Sequence, residues 1–111
     1  MNWTNLVEVE ELDRLIILSN TTPVLLFKHS TRCSVSLMAK RSLESEWNFS
    51  AEQIVPYYLD LITYRSISNR ISEVFNVTHE SPQAILLKNG KVLYHASHSE
   101  ISAEEIGKHL N

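Results

Sequence analysis

The stretch Pro23-Val24-Leu25-Leu26-Phe27-Lys28-His29-Ser30-Thr31-Arg32-Cys33-Ser34-Val35-Ser36 decides the fold. Its first half is apolar on both faces of an extended chain and too short for a helix, which predicts a central strand covered on both sides. From Ser34 to Trp47, Val35, Ala39, Leu43 and Trp47 recur every four residues, with Lys40, Arg41, Glu44 and Glu46 on the remaining surface. That pattern predicts an amphipathic helix. The chain thus runs from a buried strand through a short polar link into a helix, with Cys33 at the junction.

Upstream, Val9, Leu12 and Ile16 fall at helical spacing within Glu8 to Ser19, with Glu8, Glu10 and Glu11 in the first turn where the helix dipole favours negative charge. Asn20-Thr21-Thr22-Pro23 ends that helix. Downstream, Val55 to Leu59 reads as a second strand. Pro56 lacks a donor for a ladder, which places it near the strand's start or at an edge. Ile67, Ile71, Val74 and Phe75 give a third helix, with Ser66 or Ser68 as N-cap. Gln83 to Lys88 and Lys91 to Ala96, joined by Asn89-Gly90, predict a hairpin with a type I′ turn. Ser102-Ala103-Glu104-Glu105 forms a capping box, and Ile101 and Ile106 a hydrophobic staple, so a last helix runs to about Leu110. The order α-β-α-β-α-β-β-α implies one α/β domain over residues 1–111. Its mixed sheet of about four strands has helices on both faces.

The chain has 111 residues, 43% hydrophobic and 21% charged, which is room for one core. Ten basic and thirteen acidic residues give a net charge of −3, so neither nucleic acid nor an anionic membrane is an expected partner. The apolar runs fall far short of the roughly 20 residues a spanning helix needs. The start, Met1-Asn2-Trp3-Thr4-Asn5, lacks the basic and apolar character of a secretory signal, and a cytoplasmic location is expected. His95 and His98 point to opposite faces, His109 suits a helix C-terminus, and Asp60 with Arg65 and Arg70 suits a surface ion pair. No metal site is expected. Trp3 and Trp47 read as packing residues.

Cys33 is the one cysteine, which excludes an internal disulfide and a cysteine-based zinc site within one chain. At a helix start, unpaired backbone N–H groups and the dipole favour thiolate over thiol, and Arg32 adds charge in the same sense. Lys28 and His29 lie near in sequence, and His29 and His79 are candidates to accept the thiol proton. Ser36 stands one turn after Cys33 on the same helix face. A serine cannot resolve a mixed disulfide, so a thiol from another molecule must do so.

Strand, Cys-Ser-Val-Ser turn and helix resemble the active-site segment of a thioredoxin-like protein in its monothiol form. His79-Glu80-Ser81-Pro82-Gln83 resembles the loop that carries a cis-proline facing the active-site cysteine in that fold. Together with Phe27 to Cys33, Arg70 to Phe75 and Lys88-Asn89-Gly90-Lys91-Val92, the chain resembles the monothiol bacilliredoxins of the YtxJ type, from Trp3 to the final helix.

The resemblance implies a thioredoxin-like fold and a thiol-disulfide oxidoreductase. Cys33 would remove bacillithiol, or a similar small thiol acting as co-substrate, from modified protein cysteines, with no bound cofactor. Ser36 marks the place where dithiol relatives keep a second cysteine. Arg32 and Ser34 would stabilise the thiolate, and Ser36, His79, Ser81 and Pro82 would contact substrate. Ser34 departs from the proline that many relatives carry after the cysteine, which restores a backbone N–H at the helix start. The implied partners are bacillithiolated client proteins, the small thiol and a reductase, acting on a monomer. Two other readings stay open: a non-catalytic protein-binding module on the same frame, and a dimer sharing an iron-sulfur cluster through Cys33.

Overall fold

Strand β2 (Val24–His29) is the axis of the molecule, and all six of its residues are buried. In the computed structural model, which describes residues 1–110, it is preceded by β1 (Thr4–Asn5) and α1 (Glu10–Leu18). It is followed by α2 (Ser34–Glu46), β3 (Val55–Asp60), α3 (Arg65–Phe75), β4 (Gln83–Lys88), β5 (Lys91–Ser97), a 3₁₀ turn (His98–Glu100) and α4 (Ala103–Lys108). The sheet order is β1-β3-β2-β4-β5. β1, β3 and β2 run parallel, and the hairpin adds β4 antiparallel to β2 and β5 antiparallel to β4.

The sheet therefore has five strands, one more than the sequence pattern gives. β1 pairs only Thr4 with Tyr57 and Asn5 with Tyr58, too short a segment to show alternation. It also explains Pro56. Leu6 N–H donates to Tyr58 O on the β1 side of β3, so Pro56, two residues earlier, turns its missing donor to that side, before β1 begins.

Alternation along β2 divides the core. Val24 and Leu26 face α1 and α3 with Leu12, Leu15, Ile71 and Val77. Leu25 and Phe27 face α2 and α4 with Ala39, Leu43 and Ile106. Helices cover both faces, as expected, but two inward rows differ from the sequence reading. Val9, the N-cap of α1, is exposed, and within the helix Leu12 and Leu15 are buried. In α2, Val35 is 43% exposed and Ser36, Ala39 and Leu43 point inward. A strict four-residue spacing drifts around a helix of 3.6 residues per turn, and the row Ser36-Ala39-Leu43 follows the core more closely.

α3 begins at Arg65 behind Tyr64, not behind Ser66 or Ser68. Asp60 shapes the turn before it by accepting from Ile62 N–H, Thr63 N–H and the Thr63 hydroxyl, instead of pairing with Arg65 or Arg70. The hairpin turn has Asn89 and Gly90 at φ 55° and 73°, the left-handed values a type I′ turn requires. Ser102 caps α4 by accepting from Glu105 N–H at 3.3 Å, with Ile101 and Ile106 both buried. The carboxylate of Glu105 turns to Lys108 and leaves the box half made.

Candidate active site

The C-terminal end of β2 lies beside the N-terminal end of β4, with Lys28 opposite Gln83. Two loops leave the sheet at this place: Ser30 to Cys33, which enters α2, and Val77 to Pro82, which enters β4. The fold thus brings Cys33 and the Ser81-Pro82 segment to one end of the sheet. The Ser81-Pro82 peptide is cis. Arg32 and Ser34 flank Cys33 and are exposed, and His79 is exposed on the second loop.

Cys33 is the N-cap of α2, with extended backbone (φ −111°, ψ 121°) and a half-buried side chain. Its N–H donates to Ser30 O at 3.2 Å and its carbonyl accepts from Leu37 N–H at 3.1 Å. No side chain caps the helix. The first-turn N–H groups of α2 thus lack both intrahelical and side-chain partners beside Cys33. Val35, Leu37 and Met38, in the first two turns after it, are exposed apolar side chains.

Ser36 lies beneath this turn and is fully buried. Its Oγ accepts from Ser30 N–H at 3.0 Å and donates to His29 Nδ1 at 2.6 Å, so the hydroxyl ties the cysteine loop to both strand and helix. This corrects the expectation that Ser36 touches substrate. One helical turn after Cys33 on the inward row, it has no free surface. His29 is also buried, stacked on Phe27 and tilted against Tyr58. Burial and the charge of Lys40 hold its imidazole below the ordinary histidine range, opposed by Asp60, which suits a neutral ring accepting at Nδ1. The hydrogen bond His29 makes is with Ser36 and not with the Cys33 sulfur.

Lys28 points to the opposite face of the sheet. Its side chain is fully buried, and Nζ donates to His79 Nδ1 at 2.7 Å. Desolvation pushes its pKa down to about 8. Burial and the nearby charges of Lys28 and Arg65 likewise hold His79 below its ordinary range, opposed by Glu80. Lys28 therefore does not lend its charge to Cys33 as sequence proximity suggests: adjacent strand residues face apart. Nor does His79 turn Nδ1 outward, since that nitrogen faces Lys28, with Ser68 Oγ at 3.5 Å.

Pro82 is buried, and its carbonyl accepts from His98 N–H at 3.0 Å. Among the described residues, nothing pairs with the backbone N–H or C=O of Ser81. Ser81 Oγ is buried without a partner, as is Gln83 Oε1, while Gln83 Nε2 donates to Thr78 O at 3.0 Å. No group of three metal-ligating side chains occurs among the described residues, and no helix is long and apolar enough to cross a membrane. The buried lysine and the Ser36–His29 link escape sequence reading. Their one visible trace is a charged and a titratable residue, Lys28 and His29, ending an otherwise apolar strand.

The structure is similar to solved structures of the thioredoxin fold. One described as having that fold aligns with a TM-score of 0.83 and 25% identity, over 96% of this chain and 92% of that one. Thioredoxin of Malassezia sympodialis aligns with a TM-score of 0.79 at 13% identity over 99% and 92% of the two chains. Thioredoxin of Fasciola hepatica aligns at 0.72 and 15% over 96% and 94%. At such identities the two thioredoxins speak to the fold alone. The model of a sequence family described as monothiol bacilliredoxin BrxC matches residues 4–106, nearly the whole chain. With its single cysteine at the head of α2, the chain belongs to the monothiol bacilliredoxins, thiol-disulfide oxidoreductases of thioredoxin fold.

Proposed function

We propose that Cys33 removes a low-molecular-weight thiol, bacillithiol or a close analogue, from mixed disulfides on protein cysteines. The observation that carries this reading is one half-exposed cysteine at the N-cap position of a 13-residue helix, with a buried, hydrogen-bonded serine one turn later where a second thiol would otherwise stand.

The thiolate of Cys33 attacks the small-thiol sulfur of the mixed disulfide. A new disulfide forms between Cys33 and the small thiol as the client disulfide breaks, and the client sulfur leaves as a thiolate that takes a proton from water. Arg32 and Ser34 flank the attacking sulfur at the head of α2. Ser81, whose backbone groups have no partner among the described residues, pairs with an extended client segment in the manner of an added strand, with Pro82 beside it. Since Ser36 is no thiol, a second small thiol or a partner reductase attacks the adduct on Cys33, restoring the free cysteine and releasing a small-molecule disulfide or an oxidised reductase. The protein acts as a monomer in a reducing cytoplasm, with neither nucleic acid nor membrane as partner and no bound cofactor.

The test is intact-mass spectrometry after exposure to the disulfides of bacillithiol, glutathione and cysteine, followed by assay of small-thiol removal from a modified client. A single adduct on Cys33, formed fastest with bacillithiol, and an inactive Cys33→Ser variant are expected. Equal rates for Cys33→Ser and wild type overturn the reading.

A further inference from the structure

Lys28 is the least expected side chain in the interior. Val24 and Leu26, which share its face of β2, and Leu59, opposite it on β3, are all apolar and buried. Among the described residues no carboxylate pairs with it: the ion pairs are Lys40–Glu44, Arg70–Glu73 and Lys108–Glu105, and His98 Nδ1 lies 3.6 Å from Glu80 Oε2. A buried ammonium without a counter-ion is unfavourable, and methionine would fill the same space without that cost. The charge gains one described contact, Nζ to His79 Nδ1 at 2.7 Å.

That contact falls on the loop entering β4, three residues before Pro82. A second tie lies beside it. Gln83, opposite Lys28 on β4, donates from Nε2 to Thr78 O at 3.0 Å. Two adjacent buried side chains therefore grip consecutive loop residues, Thr78 and His79, from beneath. Both lie on the α1 and α3 side of the sheet, whereas α2 packs on the other.

We propose that Lys28 is a positioning residue for client recognition: through His79 it fixes the loop so that Ser81 meets the backbone of an extended client segment. The inference rests on the functional reading above and adds that protein clients, but not small disulfides, depend on Lys28. A loop ordered in advance spares the bound state the entropy of ordering it.

The test compares kcat/KM for a client protein carrying a small-thiol mixed disulfide with kcat/KM for a small symmetric disulfide. In Lys28→Met the ratio of the two falls about tenfold, the scale of one charge-assisted hydrogen bond, and the change resides in the client KM. His79→Leu, an exposed position that does not threaten the core, gives the same fall, and His79→Gln, which keeps an acceptor for Lys28, restores most of it. A client peptide with serine for its target cysteine gives a Kd that rises by the same factor, a readout independent of thiol chemistry. An unchanged ratio and Kd in both Lys28→Met and His79→Leu overturn the inference, and so does an equal fall in both rates, which would place Lys28 at the sulfur. If Cys33→Ser is as active as wild type, the functional reading fails, while the peptide Kd still decides the role of Lys28.

Discussion

Lys28 and His29 are neighbours in sequence, yet each serves a different half of the site. His29 belongs to a closed network: the imidazole, the Ser36 hydroxyl and Ser30 N–H satisfy one another under the cysteine loop. Lys28 belongs to an open one, a buried ammonium reaching the exposed His79 on the loop beside Pro82. A closed network fixes geometry, whereas an open one leaves a charged group answerable to its surroundings. The difference teaches that the end of one strand can tie the cysteine loop on one face and the loop entering β4 on the other.

The sharpest way to break the comparison is to open the closed side. Ser36→Ala strands Ser30 N–H and His29 Nδ1, and we expect a loss of about 2 kcal/mol in urea unfolding. A loss near zero would mean the network contributes nothing to the fold. The reverse holds on the Lys28 side. Lys28→Met removes an uncompensated buried charge and is expected to leave stability at neutral pH unchanged or higher, so a large loss there would erase the contrast.

Titration sharpens the contrast further. Lys28 has a folded pKa of about 8, below its ordinary value of 10.5. Between those values the unfolded chain binds more protons, so wild-type stability rises as pH increases from about 8 to about 10.5. In Lys28→Met that rise disappears; persistence of the full rise would assign it to another group. His29 and His79 are also lowered, so stability falls as pH drops below the ordinary histidine value of about 6.5. His29→Asn, which does not titrate, shrinks this acid loss relative to the same variant's stability at pH 8. A slope identical to wild type would show that His29 takes up its proton equally in the folded and unfolded chain and contributes nothing to the acid loss. The smallest effect serves as a control far from both faces: Ser102→Ala removes the cap of α4 and costs about 1 kcal/mol, with thiol exchange unaltered.

The main elements of the fold were legible because their signals are local and redundant. The apolar run Val24 to Phe27, the Asn89-Gly90 turn and the Ser102 cap each specify backbone conformation within a few residues. Cys33 at a helix start was legible for the same reason. β1 was not, because two residues carry no period, and its place depends on β3 far along the chain. The inward row of α2 was half legible: Ala39 and Leu43 stood out, whereas Ser36 is a polar residue whose burial is satisfied by partners on a strand and a loop. The partition of Lys28 and His29 follows from strand alternation, but the partners do not. Fifty-one positions separate Lys28 from His79, and nothing local announces that they meet.

At the other end of the sheet, Ser19 closes α1 and is almost fully buried. Its carbonyl accepts from Asn89 N–H at 2.8 Å and its hydroxyl accepts from Gly90 N–H at 2.8 Å, so the tip of the hairpin is clasped by a residue from the first quarter of the chain. Turn amides ordinarily trade their hydrogens for deuterium within moments of dilution into heavy water. Here these two are expected to lag like amides of the central strands, marking the pole opposite Cys33 as a slow-exchanging anchor.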